Sequence, residues 1–133
     1  MPSFVNQFAP FAGRILLSII FIMSGISKIT GFAGTAGWMT SKGLPMADVL
    51  LGASIVIELA GAAMIVAGYK ARWGAAALFL WMIPVTFVFH NYWTYPAAEQ
   101  QIQSIMFFKN LGLMGGMLLI MGFGSGPFSL NRK

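Results

Sequence analysis

Few residues in this chain can do chemistry, and they stand in unusual places. Glu58 lies near the middle of the apolar run Met46–Gly68, while Arg14, Lys28 and Lys109 fall inside or at the ends of other apolar runs. A carboxylate at membrane depth costs about 2.5–3.5 kcal/mol on insertion scales, so it calls for a cationic partner or a task. At ~1.5 Å of rise per residue, Glu58 falls about mid-membrane and Lys109 part of the way in from the outer side. Lys28 falls at the outer end of its run, where it can snorkel to the interface, and Arg14 near the inner end. Lys109 is therefore the expected partner of Glu58, and Arg14 the next. Three readings of such a site stand side by side. It is a packing and registry device, or a proton- or ligand-handling site, or Glu58 is simply protonated.

The other polar candidates are His90, Asn91 and Asn110. His90 follows Thr86 by one helical turn and, with Asn91, is placed at the outer mouth. There it suits either an interfacial hydrogen bond or a carbonyl or quinone-type headgroup. With one histidine and no cysteine, the chain cannot build a bis-histidine haem, a thiolate metal site, an iron–sulfur centre or a dithiol relay. No metal site is expected. Any redox role would need a bound organic cofactor, such as a quinone, or a redox protein partner to carry the electrons. No nucleophile elbow, phosphate loop, zinc motif or carboxylate dyad is present.

The elements that must position these groups follow from composition. Of the 133 residues, 58% are hydrophobic and 8% charged, against about 25% charged in a soluble domain. The chain is expected to be an all-α integral membrane protein in the lipid bilayer. Four apolar segments, 10–29, 46–68, 73–92 and 102–123, each approach the ~20 residues that span hydrocarbon. Lipid requires the backbone to satisfy itself, which means helices here. The expectation is one membrane domain over 1–133, a four-helix antiparallel bundle, with the first segment a span rather than a cleaved leader. Arg14, Lys70, Arg72, Arg132 and Lys133 would share one side, so the positive-inside rule puts both termini in the cytoplasm. The net charge of +5 then reports topology and anionic headgroups, not nucleic acid.

Helical spacing aligns Arg14, Ser18, Phe21, Gly25 and Lys28 on the first helix, and Ser54, Glu58, Gly61 and Ala62 on the second. It puts Lys109, Gly112 and Gly116 on one face of the fourth. Small residues beside charges allow close helix approach, so all three faces are expected to point inward. Gly-rich faces also leave a homo-oligomer open. Two outer connections differ in kind. Thr30–Pro45 carries Trp38 and Met39 and reads equally as an interfacial segment over the bundle mouth or an ordinary Gly-rich loop. Asn91–Gln103 contains Tyr92-Trp93-Thr94-Tyr95-Pro96, which matches an interfacial aromatic belt or a lid.

Taken in order, several short pieces resemble one family. They are Gly13-Arg14, Phe21 and Ser24-Gly25-Ile26-Ser27-Lys28, then Ile57-Glu58-Leu59-Ala60-Gly61 with Gly68-Tyr69. Phe89-His90-Asn91-Tyr92-Trp93, Phe107-Phe108-Lys109-Asn110-Leu111 with Gly115-Gly116, and the closing Gly122–Leu130 complete the set. Together they resemble the DoxX family of small four-helix membrane proteins over nearly the whole chain. The resemblance implies a bacterial inner-membrane protein, and for some members an association with membrane oxidoreductase systems that use quinones. By position it carries over Arg14, Lys28, Glu58, His90, Lys109 and Asn110 as recurrent polar sites, without assigning their roles. A non-catalytic scaffold and a small proton-coupled transporter remain alternatives.

Overall fold

The structure is a computed structural model that describes residues 2–131. Arg132 and Lys133, which entered the charge argument, lie outside the described residues. Helix α1 spans Ser3–Thr30, α2 Phe32–Ser41, α3 Ala47–Ala67, α4 Ala71–Phe89 and α5 Ala97–Phe123, with a single 3-10 turn at Tyr92–Thr94. Among the described residues there is no strand. Four helices, α1, α3, α4 and α5, are long and apolar enough to cross a membrane.

Two of these run well past their apolar cores. α1 begins at Ser3 and α5 at Ala97, several residues before the expected starts at 10 and 102. The added turns contain Asn6 and Gln7 in α1 and Glu99, Gln100 and Gln101 in α5. These residues are too polar to register as membrane span, yet most of them are compatible with a helix that continues into the headgroup region. The 27 residues of α5 extend to about 40 Å at 1.5 Å per residue, beyond the ~30 Å of hydrocarbon.

The spanning helices pack as neighbours in the order α1, α3, α4, α5. Their shared core holds Phe21, Ala62, Ile65, Leu78, Met82, Met117 and Ile120. Backbone comes close to backbone between α3 and α4, where a Cβ on Gly74 would stand 3.0 Å from the carbonyl oxygen of Gly61. Without a hydrophobic force between helices in lipid, such backbone proximity is what gives dispersion contact its strength. Pro84 sits within α4, which remains helical through it.

The segment 30–45 is largely helix. Ala36 and Met39 of α2 bury against Ala47 and Leu51 of α3, with Phe89 of α4 packed on the same cluster. This second cluster roofs one end of the molecule, the end that carries His90. At the opposite end residues 124–131 fold back over the C terminus of α3, where the Leu130 and Asn131 amides donate to Ala67 O (3.0 Å) and Gly68 O (2.9 Å).

Candidate functional site

Glu58 does have a cationic partner, and it is Lys28. The Lys28 ammonium pairs with Glu58 Oε1 and donates to Ser54 Oγ at 3.1 Å. The Ser54 hydroxyl donates in turn to Glu58 Oε1 at 2.9 Å, and the Trp81 indole Nε1–H donates to Ser54 Oγ at 3.2 Å. Ser54 thereby uses its one donor and both lone pairs. The geometry has local causes. Ser54 and Glu58 are one turn apart on α3, on the same face. One turn before Lys28, a Cβ on Gly25 would lie 2.6 Å from the Leu59 side chain, so its absence lets α1 and α3 close up. Lys28 stands near the end of α1, yet α2 packs over this end and the ammonium turns inward rather than snorkelling. Its side chain is 24% exposed and that of Glu58 is 6% exposed.

The expected pairing of Glu58 with Lys109 is therefore corrected, as is Arg14 as second choice. Lys109 is exposed on α5, with no hydrogen bond or ion pair among the described residues. The inward face of α5 carries Asn110, Leu113, Met117 and Ile120 instead of Lys109 and Gly112, while Gly116, the third member of the expected face, does pack against Leu17 of α1. Bulk decides this: Met117 and Ile120 fill the core, whereas a Cβ on Gly112 would meet nothing within 4 Å and one on Gly116 would stand 3.3 Å from the Leu17 side chain. Arg14 lies at the other end, where it donates to Pro127 O (3.0 Å), Phe128 O (2.9 Å) and Ser129 Oγ (3.0 Å). It holds down the closing segment.

A cavity of about 280 Å³ adjoins the ion pair. Lys28, Ser54 and Glu58 line it from α1 and α3, and His90 and Asn110 from α4 and α5, while Phe21, Trp38, Trp81 and Phe89 supply aromatic walls. His90 Nδ1 is 2.8 Å from Gln103 Oε1. With the amide oxygen accepting, the Nδ1 nitrogen carries the proton and Nε2 of the neutral ring is an acceptor. Asn110 Nδ2 donates to Thr86 Oγ1 at 3.1 Å. Trp38 of α2 stacks on Phe89 with centroids 4.8 Å apart. Lys42, just after α2, donates to the Tyr95 hydroxyl (2.8 Å), which donates to Phe89 O (2.7 Å). α2 is thus latched over the cavity. A lateral recess between α1 and α2 shares Ser24, Lys28, Thr35 and Trp38 with it.

One atom of the pair remains unmatched. Glu58 Oε2 is buried and accepts no hydrogen bond among the described residues. A buried acceptor without a donor carries a desolvation cost of about 1–3 kcal/mol, which a ligand hydroxyl or a water can remove. The site presents aromatic walls, ammonium and amide donors that suit a carbonyl oxygen, and a carboxylate that suits a hydroxyl. Of the residues singled out from the sequence, Lys28, Glu58, His90 and Asn110 meet at this cavity, and Arg14 and Lys109 do not. Asn91 stands beside it, outside the lining, with a buried Oδ1 that lacks a partner among the described residues. Trp81, Thr35 and Gln103 were missed. Trp81 lies in an unbroken apolar run, and only its indole N–H hinted at a polar contact.

A model of the DoxX family matches residues 9–91. The chain belongs to the DoxX family. Two relatives from Escherichia coli K12 support the assignment along most of the chain. Inner membrane protein YqjF is 35% identical over 119 residues, covering 90% of this chain and 86% of that protein. Inner membrane protein YphA is 32% identical, also covering 90% and 86%. The ER-derived vesicles protein ERV29 of Saccharomyces cerevisiae is 28% identical over 92% of this chain and 33% of its own length. No solved structure matches the chain. With four membrane-spanning helices and these relatives, this DoxX protein is a multi-pass inner-membrane protein.

Proposed function

We propose that this DoxX protein binds a lipid-soluble molecule with a polar ring, of the quinone type, in the Lys28–Glu58 cavity. In this reading it serves a membrane oxidoreductase system. It crosses the bilayer as an antiparallel bundle with both termini in the cytoplasm, which sets the cavity toward the outer leaflet. The observation that carries the reading is the unmatched Glu58 Oε2 beside a cavity walled by Trp38 and Trp81. Its volume of about 280 Å³ exceeds the ~150 Å³ that accepts a benzene ring, so a substituted ring fits. Lys28 and Asn110 would hold carbonyl oxygens, and Glu58 and His90 Nε2 would accept from hydroxyls. Bound quinone supplies two-electron carrier chemistry. The chain's own residues bind and orient the ring, keep bulk water off it with the α2 roof, and hold a proton at Glu58. Electrons come from a redox partner.

A second reading has an observation of its own. Ser54 and Lys28 already satisfy Glu58 Oε1, so the pair also serves as a registry lock between α1 and α3, as a scaffold or assembly protein would need. The two readings separate by titrating the reconstituted protein with a short-chain ubiquinone while following tryptophan fluorescence. Ligand binding predicts saturable quenching from Trp38 and Trp81 that weakens at least tenfold in folded Glu58→Gln. Quenching that rises linearly with quinone in the membrane, equally in wild type and variant, rejects the cavity as its site and leaves the scaffold.

A further inference from the structure

The end of the molecule away from His90 carries a second built feature. Arg14 is 2% exposed, and its guanidinium has five N–H donors. Four of them face neutral acceptors: Ile65 O at 3.4 Å and Ser129 Oγ at 3.0 Å from Nη1, and Pro127 O and Phe128 O at 3.0 and 2.9 Å from Nη2. The fifth, Nε–H, is buried and has no partner among the described residues. No carboxylate among the described residues pairs with this cation, since the ion pair found there is that of Lys28 with Glu58. A buried charge held only by neutral groups is costly without a counter-ion. Arg14 also forms part of the wall of a groove of about 560 Å³ between α1 and α5. The groove is mostly apolar, lined by Leu17, Leu119, Ile120 and Phe123, with Arg14 and Ser125 as its polar members.

Its level in the membrane identifies what fits. Arg14 reaches the last turn of α3 and the segment just after α5, so it marks the plane where both spans end and headgroups begin. Lys70 and Arg72 stand at the start of α4, in the same region. Basic pockets between helices at this depth recognise lipid phosphates.

We propose that the α1–α5 groove is a binding site for an anionic phospholipid. The phosphate neutralises Arg14, and one acyl chain lies along Leu17, Leu119 and Ile120. A free anion would satisfy the charge alone and leave the apolar groove unexplained. The site lies at the opposite end of the bundle from the cavity and does not depend on the cavity's ligand.

The test is native mass spectrometry of the full chain in mild detergent, with acyl-matched phosphatidylglycerol and phosphatidylcholine supplied at equal concentration. One retained phosphatidylglycerol, favoured at least tenfold over phosphatidylcholine, is expected. Arg14→Gln should abolish the preference, but it also cuts the closing segment loose. Gly13→Leu is therefore the second variant. Gly13 lines the groove, and its Cβ position meets nothing within 4 Å, so the leucine fills the groove without disturbing the Arg14 contacts. It should reduce retention at least tenfold in a folded protein. Equal retention of both lipids, undiminished retention in Gly13→Leu, or displacement of the lipid by millimolar inorganic phosphate would each overturn the proposal.

Discussion

Removing one member of the Lys28–Glu58 pair tests the central geometry directly. Lys28→Met leaves Glu58, whose side chain is 6% exposed, with the Ser54 hydroxyl as its remaining donor. Breaking a buried pair this way destabilises by roughly 3–5 kcal/mol. The lower half of that range is expected, because the pair is open on the lysine side. The reverse change is milder. In Glu58→Gln the amide oxygen still accepts from Ser54, and Lys28, 24% exposed, can swing its ammonium toward the lateral recess and the interface. A loss of about 1–2 kcal/mol follows from the hydrogen bonds weakened. In the double variant no charge is left buried, so its loss stays near that of Glu58→Gln alone. The coupling between the two sites is then about 3 kcal/mol, far above the ~0.5 kcal/mol scatter of independent positions. Lys109→Met serves as the contrast: an exposed lysine without a partner should change stability by less than about 0.5 kcal/mol. The assay is reversible unfolding of the detergent-solubilised protein by added sodium dodecyl sulfate, followed by far-UV circular dichroism. Strictly additive losses at positions 28 and 58, or a loss in Lys109→Met as large as that in Lys28→Met, would refute the reasoning.

Three further expectations concern the frame around the site. Gly74→Ala places a Cβ 3.0 Å from Gly61 O and from Met64 Cβ, and the forced separation of α3 and α4 should cost about 1–3 kcal/mol. Gly112→Ala has open space and should be neutral or better in the same unfolding assay, so equal effects would contradict the assigned faces. Gly68 has φ +67° and faces Arg14 Nη1 and Ser129 at about 2.4 Å from its Cβ position. Gly68→Ala should release the closing segment, seen as faster hydrogen exchange at the Leu130 and Asn131 amides; unchanged protection would deny that the segment is held there. Tyr95→Phe removes the hydroxyl that joins Lys42 to Phe89 O. A loss of about 1 kcal/mol raises exchange in α2 roughly fivefold, and no change would show that the Trp38–Phe89 stack alone keeps the roof shut.

Much of this arrangement was legible in residue spacing. The stripe Arg14, Ser18, Phe21, Gly25 and the face Ser54, Glu58, Gly61, Ala62 are buried, because a charge beside small residues can only face protein. The four spans were legible because apolar length is a strong signal. α5 was misread by about one residue of rotation. Lys109 and Asn110 are adjacent, so taking lysine over asparagine as the inward group turns Lys109 and Gly112 inward in error, while Gly116 does meet Leu17. The charge drew the assignment, whereas Met117 and Ile120, ordinary apolar residues, held the answer.

The partner of Glu58 was misassigned for a different reason. Depth along a single helix, taken from its apparent ends, treats each span as an isolated rod in a slab. On that count Lys28 is a surface residue. In the folded chain α2 adds a layer above it, built from Ala36 and Met39 on Leu51 and from Trp38 on Phe89. Hydropathy leaves α2 open between an interfacial segment over the bundle mouth and a loop, since a ten-residue helix is too short to span and is rich in Gly and Thr. Yet that layer moves the boundary of the low-dielectric region outward, and a lysine beneath it does better to pair than to snorkel. The pairing is thus a tertiary property of α2 as much as a property of Lys28 and Glu58. Perturbing the roof at Trp38 should loosen the ion pair even though Trp38 touches neither charge through a hydrogen bond.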